Sequence, residues 1–276
     1  MSRYFAMCTI LTPETVNSIR DVGIWRALAG DTQAQTLTRH CLPHISMVLR
    51  YTSSSDGLER PREPVFNGFP AIVLILSAAI IGVSAIGFLA GDEVLNWLYY
   101  AFALIHDPQI NYIGRPFGAI GPVFLHVFLH GGLFHLIMNM TVMVAFGPAI
   151  AKAMGPGMKG AVGFLLFFFL CAAAGALFQL GWSWIVSEKI TAIGASSALS
   201  GFFAAGGWLM GGLRGAVRLS APWLVINVVI AVIGNAITQS LFGMQLAWAA
   251  HIGGLAGGFV LFPFIVALFN PRLRLR

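Results

Sequence analysis

The chain has 276 residues, of which 58% are hydrophobic and only 9% are Asp, Glu, Lys or Arg. An ordinary soluble domain carries roughly 25% charged residues, so this composition excludes a soluble globular protein. The net charge of +6 does not indicate nucleic-acid binding, because the basic residues flank apolar segments, as membrane insertion requires.

Residues 1–68 combine both charge signs with several prolines and lack a sustained helical or alternating pattern. Such a segment cannot bury enough apolar surface to form a core. We therefore expect a poorly ordered N-terminal arm on the cytoplasmic side of a membrane.

The remainder of the chain is dominated by long uncharged stretches. A membrane-spanning helix needs about 20 mostly apolar residues, and the sequence predicts six such spans. Polar residues 238–245 are expected to connect the last two spans, and residues 94–102, in the loop after the first span, are expected to lie at the membrane interface. The fold class is therefore all-α, a polytopic bundle of six transmembrane helices over residues 69–270, followed by a basic cytoplasmic tail at 271–276. The predicted spans are 69–90, about 123–150, 160–182, 191–213, 222–237 and 247–269.

Basic residues predict how these spans are oriented, since Lys and Arg are retained on the cytoplasmic side. With the N-terminus inside, 14 of the 16 basic residues fall on that side. We expect a multi-pass protein of a bacterial inner (plasma) membrane with both termini in the cytoplasm.

Four polar side chains interrupt the predicted spans: His130, His135 and Asn139 on the second, and His251 on the sixth. Polar groups within a span are costly and mark functional sites. At 100° per residue, His135 and Asn139 share one helical face, while His126 and His130 share another. The second, fourth and sixth spans all enter from outside, so their first turns should lie at one depth in the outer leaflet.

The first turns of the fourth span contain three serines, at 196, 197 and 200. A serine hydroxyl reaches an imidazole on another helix only if the two helices nearly touch, and the glycines after His251, including Gly254 and Gly258, permit that approach. A histidine-activated serine is an acyl-transfer nucleophile. Helical geometry leaves Ser196 and Ser200 as candidates to face His251, but only Ser196 precedes the first helical hydrogen bonds and keeps a free backbone N–H.

These residues resemble the rhomboid intramembrane serine proteases. The second-span pattern of that family appears as His130-Gly-Gly-Leu-Phe-His135-Leu-Ile-Met-Asn139, and its Gly-x-Ser turn as Gly194-Ala195-Ser196. Its last-span pattern appears as Ala250-His251-Ile-Gly-Gly254-Leu-Ala-Gly-Gly258. The resemblance covers about residues 69–270.

The resemblance implies an endopeptidase that cleaves membrane-anchored proteins in or near their transmembrane segments, with no metal and no cofactor. It assigns Ser196 as the nucleophile and His251 as its base. It further assigns the Ser196 backbone N–H, His135 and Asn139 to the oxyanion hole, His130 to a structural or water-organising role, and Gly194, Gly254 and Gly258 to helix packing.

Two positions depart from the family pattern. Many members carry Trp-Arg just before the first histidine, where this chain reads Ile120-Gly121-Pro122-Val123. Many also have an aromatic residue four positions after the nucleophile that stacks on the catalytic imidazole, where this chain has Ser200. We therefore expect the loop before the second span to be anchored differently, and the orientation of His251 is left open.

Three other functions compete with this interpretation. A membrane metalloprotease would use His126 and His130 as zinc ligands, but no Asp or Glu lies between Pro108 and Ser187 to complete the site. A rhomboid-like pseudoprotease that binds membrane clients would be marked by loss of the serine or of the last histidine, and both are present. A transporter would need charged groups within the spans, which have none.

The resemblance also implies which part of the protein admits the substrate. It places gating at the fifth span and residues 243–246.

Overall fold

The structure is a computed structural model that describes residues 69–107, 114–234 and 246–275. The predicted N-terminal arm and the polar connection at 238–245 lie outside the described residues. The elements in chain order are α1 (Ala71–Leu89), α2 (Asp92–Phe102), β1 (Leu104–His106), α3 (Gly121–Leu125), a 3₁₀ turn (His126–Phe128), α4 (Leu133–Ala153), α5 (Gly157–Val186), β2 (Ile190–Ala192), α6 (Ser196–Ile233) and α7 (Trp248–Phe269).

Within the described ranges, five helices are long and apolar enough to cross a membrane: α1, α4, α5, α6 and α7. The polytopic helical fold class is therefore confirmed, although the described residues do not form six separate spanning helices. The difference arises in α6, where Gly211 (φ −172°, ψ 33°) and Gly212 (φ 58°, ψ −143°) leave the helical conformation. Gly207 packs directly against Gly215 across this break, so the chain reverses and α6 consists of two antiparallel segments.

The second predicted span is wrong at its start. Helix α4 begins at Leu133 rather than near residue 123, because Gly132 adopts φ 154° and ends a non-helical stretch. The preceding residues form α3 and the 3₁₀ turn. His126 and His130 therefore do not share a helical face, and His130 does not lie on the helix that carries His135 and Asn139.

A small antiparallel sheet, absent from the all-α prediction, joins two of the loops. Strand β1 pairs with β2 in the register Leu104↔Ala192 and His106↔Ile190. The predicted fourth span began at 191, but 190–192 is strand and the helix begins at Ser196. Beside the sheet, the Lys189 ammonium lies 3.1 Å from the Asp107 carboxylate. The chain therefore enters α6 from a strand that is fixed to the loop after α2.

Arg115 anchors the loop that precedes α3. Its Nε donates to the Tyr100 carbonyl at 2.7 Å, and one terminal nitrogen donates to the Ala103 carbonyl at 2.8 Å. These carbonyls lie at the C-terminal end of α2, where unpaired carbonyls attract cations. The loop before the predicted second span is thus anchored by an arginine that lies earlier in the loop than residues 120–123.

Helix α7 packs between α5 and α6 through its glycines. A Cβ atom at Gly254 would collide with the Ser197 carbonyl, and one at Gly258 would collide with the Gly201 backbone. On the α5 side, a Cβ at Gly253 would lie 2.8 Å from the Ala174 carbonyl oxygen. The absent side chains allow the start of α7 to lie directly against the start of α6.

Candidate active site

The candidate site is built around the turn that leads from β2 into α6. Gly194 adopts φ 110°, a conformation that glycine accepts without strain, and its N–H donates to the His126 carbonyl at 2.9 Å. Ser196 is the first residue of α6, so its backbone N–H has no acceptor within the helix. The turn therefore presents a hydroxyl and an N–H of one residue together.

Helix α7 places an imidazole at this hydroxyl. His251 lies in the first turn of α7, is buried, and has its Nε2 2.8 Å from Ser196 Oγ. Ser196 itself is only partly buried. The two residues thus form a short hydrogen bond between a partly exposed hydroxyl and a buried ring.

On its other side, His251 contacts a residue that the sequence analysis did not select. Nδ1 lies 2.7 Å from Oδ1 of Asn227, a buried side chain on the second segment of α6. The Trp223 ring lies 5.5 Å from the imidazole, centroid to centroid, at an interplanar angle of 38°. The available signal for Asn227 was an amide within an apolar run, which marks functional sites within spans.

His135 lies on the opposite side of the turn. A Cβ atom at Gly194 would be 2.6 Å from His135 Cε1 and 2.7 Å from its Nε2, so the ring packs on the bare glycine. The Gly131 N–H makes a long contact of 3.5 Å with His135 Nδ1, which leaves Nε2 as the donor. Asn139, one turn further along α4, donates from Nδ2 to the His135 carbonyl at 2.9 Å.

His130 packs behind His135, with ring centroids 4.9 Å apart. Ser84 of α1 donates its hydroxyl proton to the Phe128 carbonyl at 3.0 Å and contacts His130 Nδ1 at 2.9 Å. Nδ1 must therefore donate to Ser84, because the single hydroxyl proton is already used. Nε2 of His130 has no partner among the described residues. Burial, reinforced by the charge of His135, lowers the pKa of His130 to about 3.

Ser196, His251, His135 and Asn139 lie within a stretch of the chain that matches a known family model. The family model described as Rhomboid domain matches residues 118–268, which is more than half of the chain. The chain belongs to the rhomboid family. The match includes all three motifs around the candidate site but leaves α1 and α2 outside.

In this rhomboid, Ser200 does not face His251. Its hydroxyl donates to the Ser196 carbonyl at 2.7 Å and accepts the Trp223 indole N–H at 3.0 Å. Ser200 occupies the position that is aromatic in many members, and it holds an aromatic ring supplied by the other segment of α6. The motif lacks an aromatic residue at position 200, but the Trp223 ring lies next to His251 instead.

Ser197 forms a second serine–histidine pair. Its hydroxyl lies 2.9 Å from His126 Nε2, and His126 Nδ1 donates to the Pro122 carbonyl at 2.9 Å. Since Nδ1 carries the proton, Nε2 accepts from Ser197. Both side chains are buried, and burial lowers the pKa of His126 to about 4.

In the part of the chain that the structure describes, no group of three His, Cys, Asp or Glu side chains is placed so that it could hold a metal ion. Both ring nitrogens of His126 are engaged by protein groups. His126 therefore has no ring nitrogen free of a protein partner in this arrangement.

Proposed function

We propose that this rhomboid is an intramembrane serine endopeptidase that cleaves membrane-anchored proteins in or near their transmembrane segments. The 2.8 Å contact between Ser196 Oγ and His251 Nε2 carries this proposal, because a base within hydrogen-bonding distance is what makes a serine nucleophilic. Family membership supports the substrate class, since the rhomboid family includes intramembrane proteases.

In the proposed reaction, Ser196 Oγ attacks the carbonyl carbon of the scissile peptide bond while His251 Nε2 takes its proton. The C–N bond then breaks as the imidazolium gives the proton to the leaving amine. Water next attacks the acyl-enzyme while His251 takes its proton, and the ester C–O bond breaks as that proton returns to Ser196 Oγ. The Ser196 N–H, His135 and Asn139 are the proposed oxyanion donors. Loss of one such donor costs about 3 kcal/mol in the barrier.

The location of the site at the start of α6 and α7, combined with the distribution of basic residues, supports a pocket that opens away from the cytoplasm. We propose that both termini are cytoplasmic in a plasma membrane. In intact cells, a membrane-impermeant maleimide should label Glu188→Cys but not Arg274→Cys, in a chain whose native cysteines are replaced by serine. The reverse labelling would contradict this orientation.

A fluorophosphonate probe applied to the full-length protein in detergent tests the chemistry. Attack by an activated serine forms a phosphorus–oxygen bond and releases fluoride, so only a functional nucleophile becomes labelled. We expect the wild type and Ser197→Ala to be labelled and Ser196→Ala to remain unlabelled while folded. An unlabelled wild type would favour the alternative function, a pseudoprotease that binds membrane clients without cleaving them.

A further inference from the structure

A general base of this kind must present an unprotonated ring nitrogen to the serine. A neutral imidazole has two tautomers, and the one with the proton on Nε2 would donate to Ser196 instead of accepting from it. The partner of Nδ1 therefore determines whether His251 can take the proton.

In this chain that partner is Asn227, and its orientation is determined by a second contact. Asn227 Nδ2 lies 2.8 Å from the carbonyl oxygen of Trp223, one turn earlier in α6. A carbonyl only accepts, so the amide nitrogen must point to Trp223 and the amide oxygen must point to His251. Oδ1 can then only accept the proton of His251 Nδ1.

The hydrogen bonds around His251 agree with this tautomer, because the donor and the acceptor in each of them are determined. The Trp223 indole donates to Ser200, Ser200 donates to the Ser196 carbonyl, and the Ser196 hydroxyl is left to donate to His251. The Trp223 ring also stacks on Phe203, with centroids 4.9 Å apart and an interplanar angle of 13°. The packing of Trp223 thus holds two groups in place: the indole N–H that donates to Ser200 and the carbonyl that orients Asn227.

We propose that Asn227 is the positioning residue of the pair: its side-chain carbonyl holds His251 in the tautomer protonated at Nδ1. The role deepens the proposed serine-peptidase function and rests on it. A neutral amide provides the required acceptor without bringing a second charge into a buried site, where an incompletely paired carboxylate would be costly. The arrangement is a serine–histidine–asparagine triad whose third member comes from the second segment of α6.

The test compares Asn227→Leu, which removes the acceptor at similar size, with Asn227→Asp, which keeps an acceptor oxygen. The readout is fluorophosphonate labelling of the full-length protein, resolved into the maximal rate of inactivation and the apparent probe affinity. We expect Asn227→Leu to lower the maximal rate roughly 10- to 100-fold with an unchanged affinity. Asn227→Asp should recover most of that loss.

Ser220→Ala is the matched control. Ser220 is also buried on the second segment of α6, and its hydroxyl has no partner among the described residues. Labelling of this variant should match the wild type. A wild-type rate in Asn227→Leu, or equal losses in the Leu and Asp variants, would overturn the positioning role.

A second measurement is made on the wild-type protein and uses one variant only to assign a signal. The ¹⁵N signals of the histidine ring nitrogens distinguish the two neutral tautomers, and the His251 signal is the one missing from His251→Phe. In the wild type we expect the Nδ1–H form, and the Nε2–H form would overturn the proposal. If the wild type shows the Nδ1–H form but is not labelled by the probe, the peptidase function fails while the tautomer assignment stands.

Discussion

Two serine–histidine pairs lie side by side at the start of α6, formed by consecutive serines. Ser196 contacts His251 at 2.8 Å and Ser197 contacts His126 at 2.9 Å, and in both pairs Nδ1 of the histidine is held by a carbonyl oxygen. The pairs differ in exposure, because Ser196 is partly exposed whereas Ser197 is only 2% exposed. They also differ in that Ser196 lies next to the Gly194 turn and His135.

This comparison separates two uses of one interaction. A hydrogen bond from a serine to a neutral imidazole satisfies two polar groups wherever it occurs. It supports nucleophilic chemistry only where a substrate can reach the hydroxyl and donors surround the developing oxyanion. In the Ser197 pair, the same contact connects the 3₁₀ turn to α6 and stabilises the loop.

Apart from loss of Ser196 itself, the largest effect is expected from Gly194→Ala, which keeps both pairs but crowds the oxyanion side. The new Cβ would lie 2.6 Å from His135 Cε1, at a backbone φ of 110°. We expect fluorophosphonate labelling to slow by roughly 100-fold, the cost of losing one oxyanion donor. Gly91→Ala is the control, since Gly91 has φ 87° and no atom within 4 Å of its Cβ position. Equal labelling rates in the two variants would remove His135 from the mechanism.

A smaller effect, on stability, is expected at the second pair. Ser197→Ala leaves His126 Nε2 buried without a partner and should lower the free energy of unfolding by about 1–3 kcal/mol, with labelling at Ser196 retained. The double variant with His126→Leu should lose less than the sum of the two single variants, because both partners are then gone. Strictly additive losses in chemical unfolding would contradict a direct bond between the two side chains.

The effect that is smallest at neutral pH comes from the buried histidines outside the spanning helices, which make stability depend on pH. Their pKa values are lowered by burial to about 4 for His126 and about 3 for His130, below the usual value of 6.5. Between pH 6.5 and 4 the unfolded loop binds more protons than the folded one, so stability is complete above pH 6.5 and decreases as the pH falls. The protection factors of the 121–130 amides, which are the exchange rates of an unfolded peptide at the same pH divided by the observed rates, should decrease as the pH falls over this range. The loss of protection should be smaller in His126→Leu, and equal pH profiles of the protection factors would contradict the assignment.

The sequence predicted the membrane bundle and the residues of the first pair for a physical reason. Uncharged stretches of sufficient length identify spans, and small residues at Gly254 and Gly258 identify a face where helices touch. Ser196 and His251 were expected to meet there, and their side chains lie in contact.

The start of the second span was missed because hydropathy does not detect a break between uncharged residues. The adjacent Gly131 and Gly132 were the available signal, since paired glycines commonly mark turns. Treating 123–150 as one helix placed His126 and His130 on a common face. The structure instead directs His126 to Ser197 and His130 to Ser84.

Asn227 was missed for a different reason. The sequence placed Asn227 within a predicted span. Its partner, however, depends on how α6 reverses at Gly211 and Gly212 and on which face of the second segment then packs against α7. That packing is a tertiary property with no local signature in the sequence. The same reversal brings Trp223 to His251, which the motif at Ser200 alone could not indicate.

The contact between Ser84 and His130 has a practical consequence for dissecting the protein. The family match begins at residue 118, but α1 supplies the hydroxyl that pairs with His130, and Val73 of α1 packs 3.0 Å from the Cβ position of Gly147 on α4. A fragment trimmed to the matched region would lose both contacts. The shortest fragment that retains these contacts begins ahead of α1, at about residue 69, so α1 belongs to the folding unit of the site as well as to its attachment in the membrane.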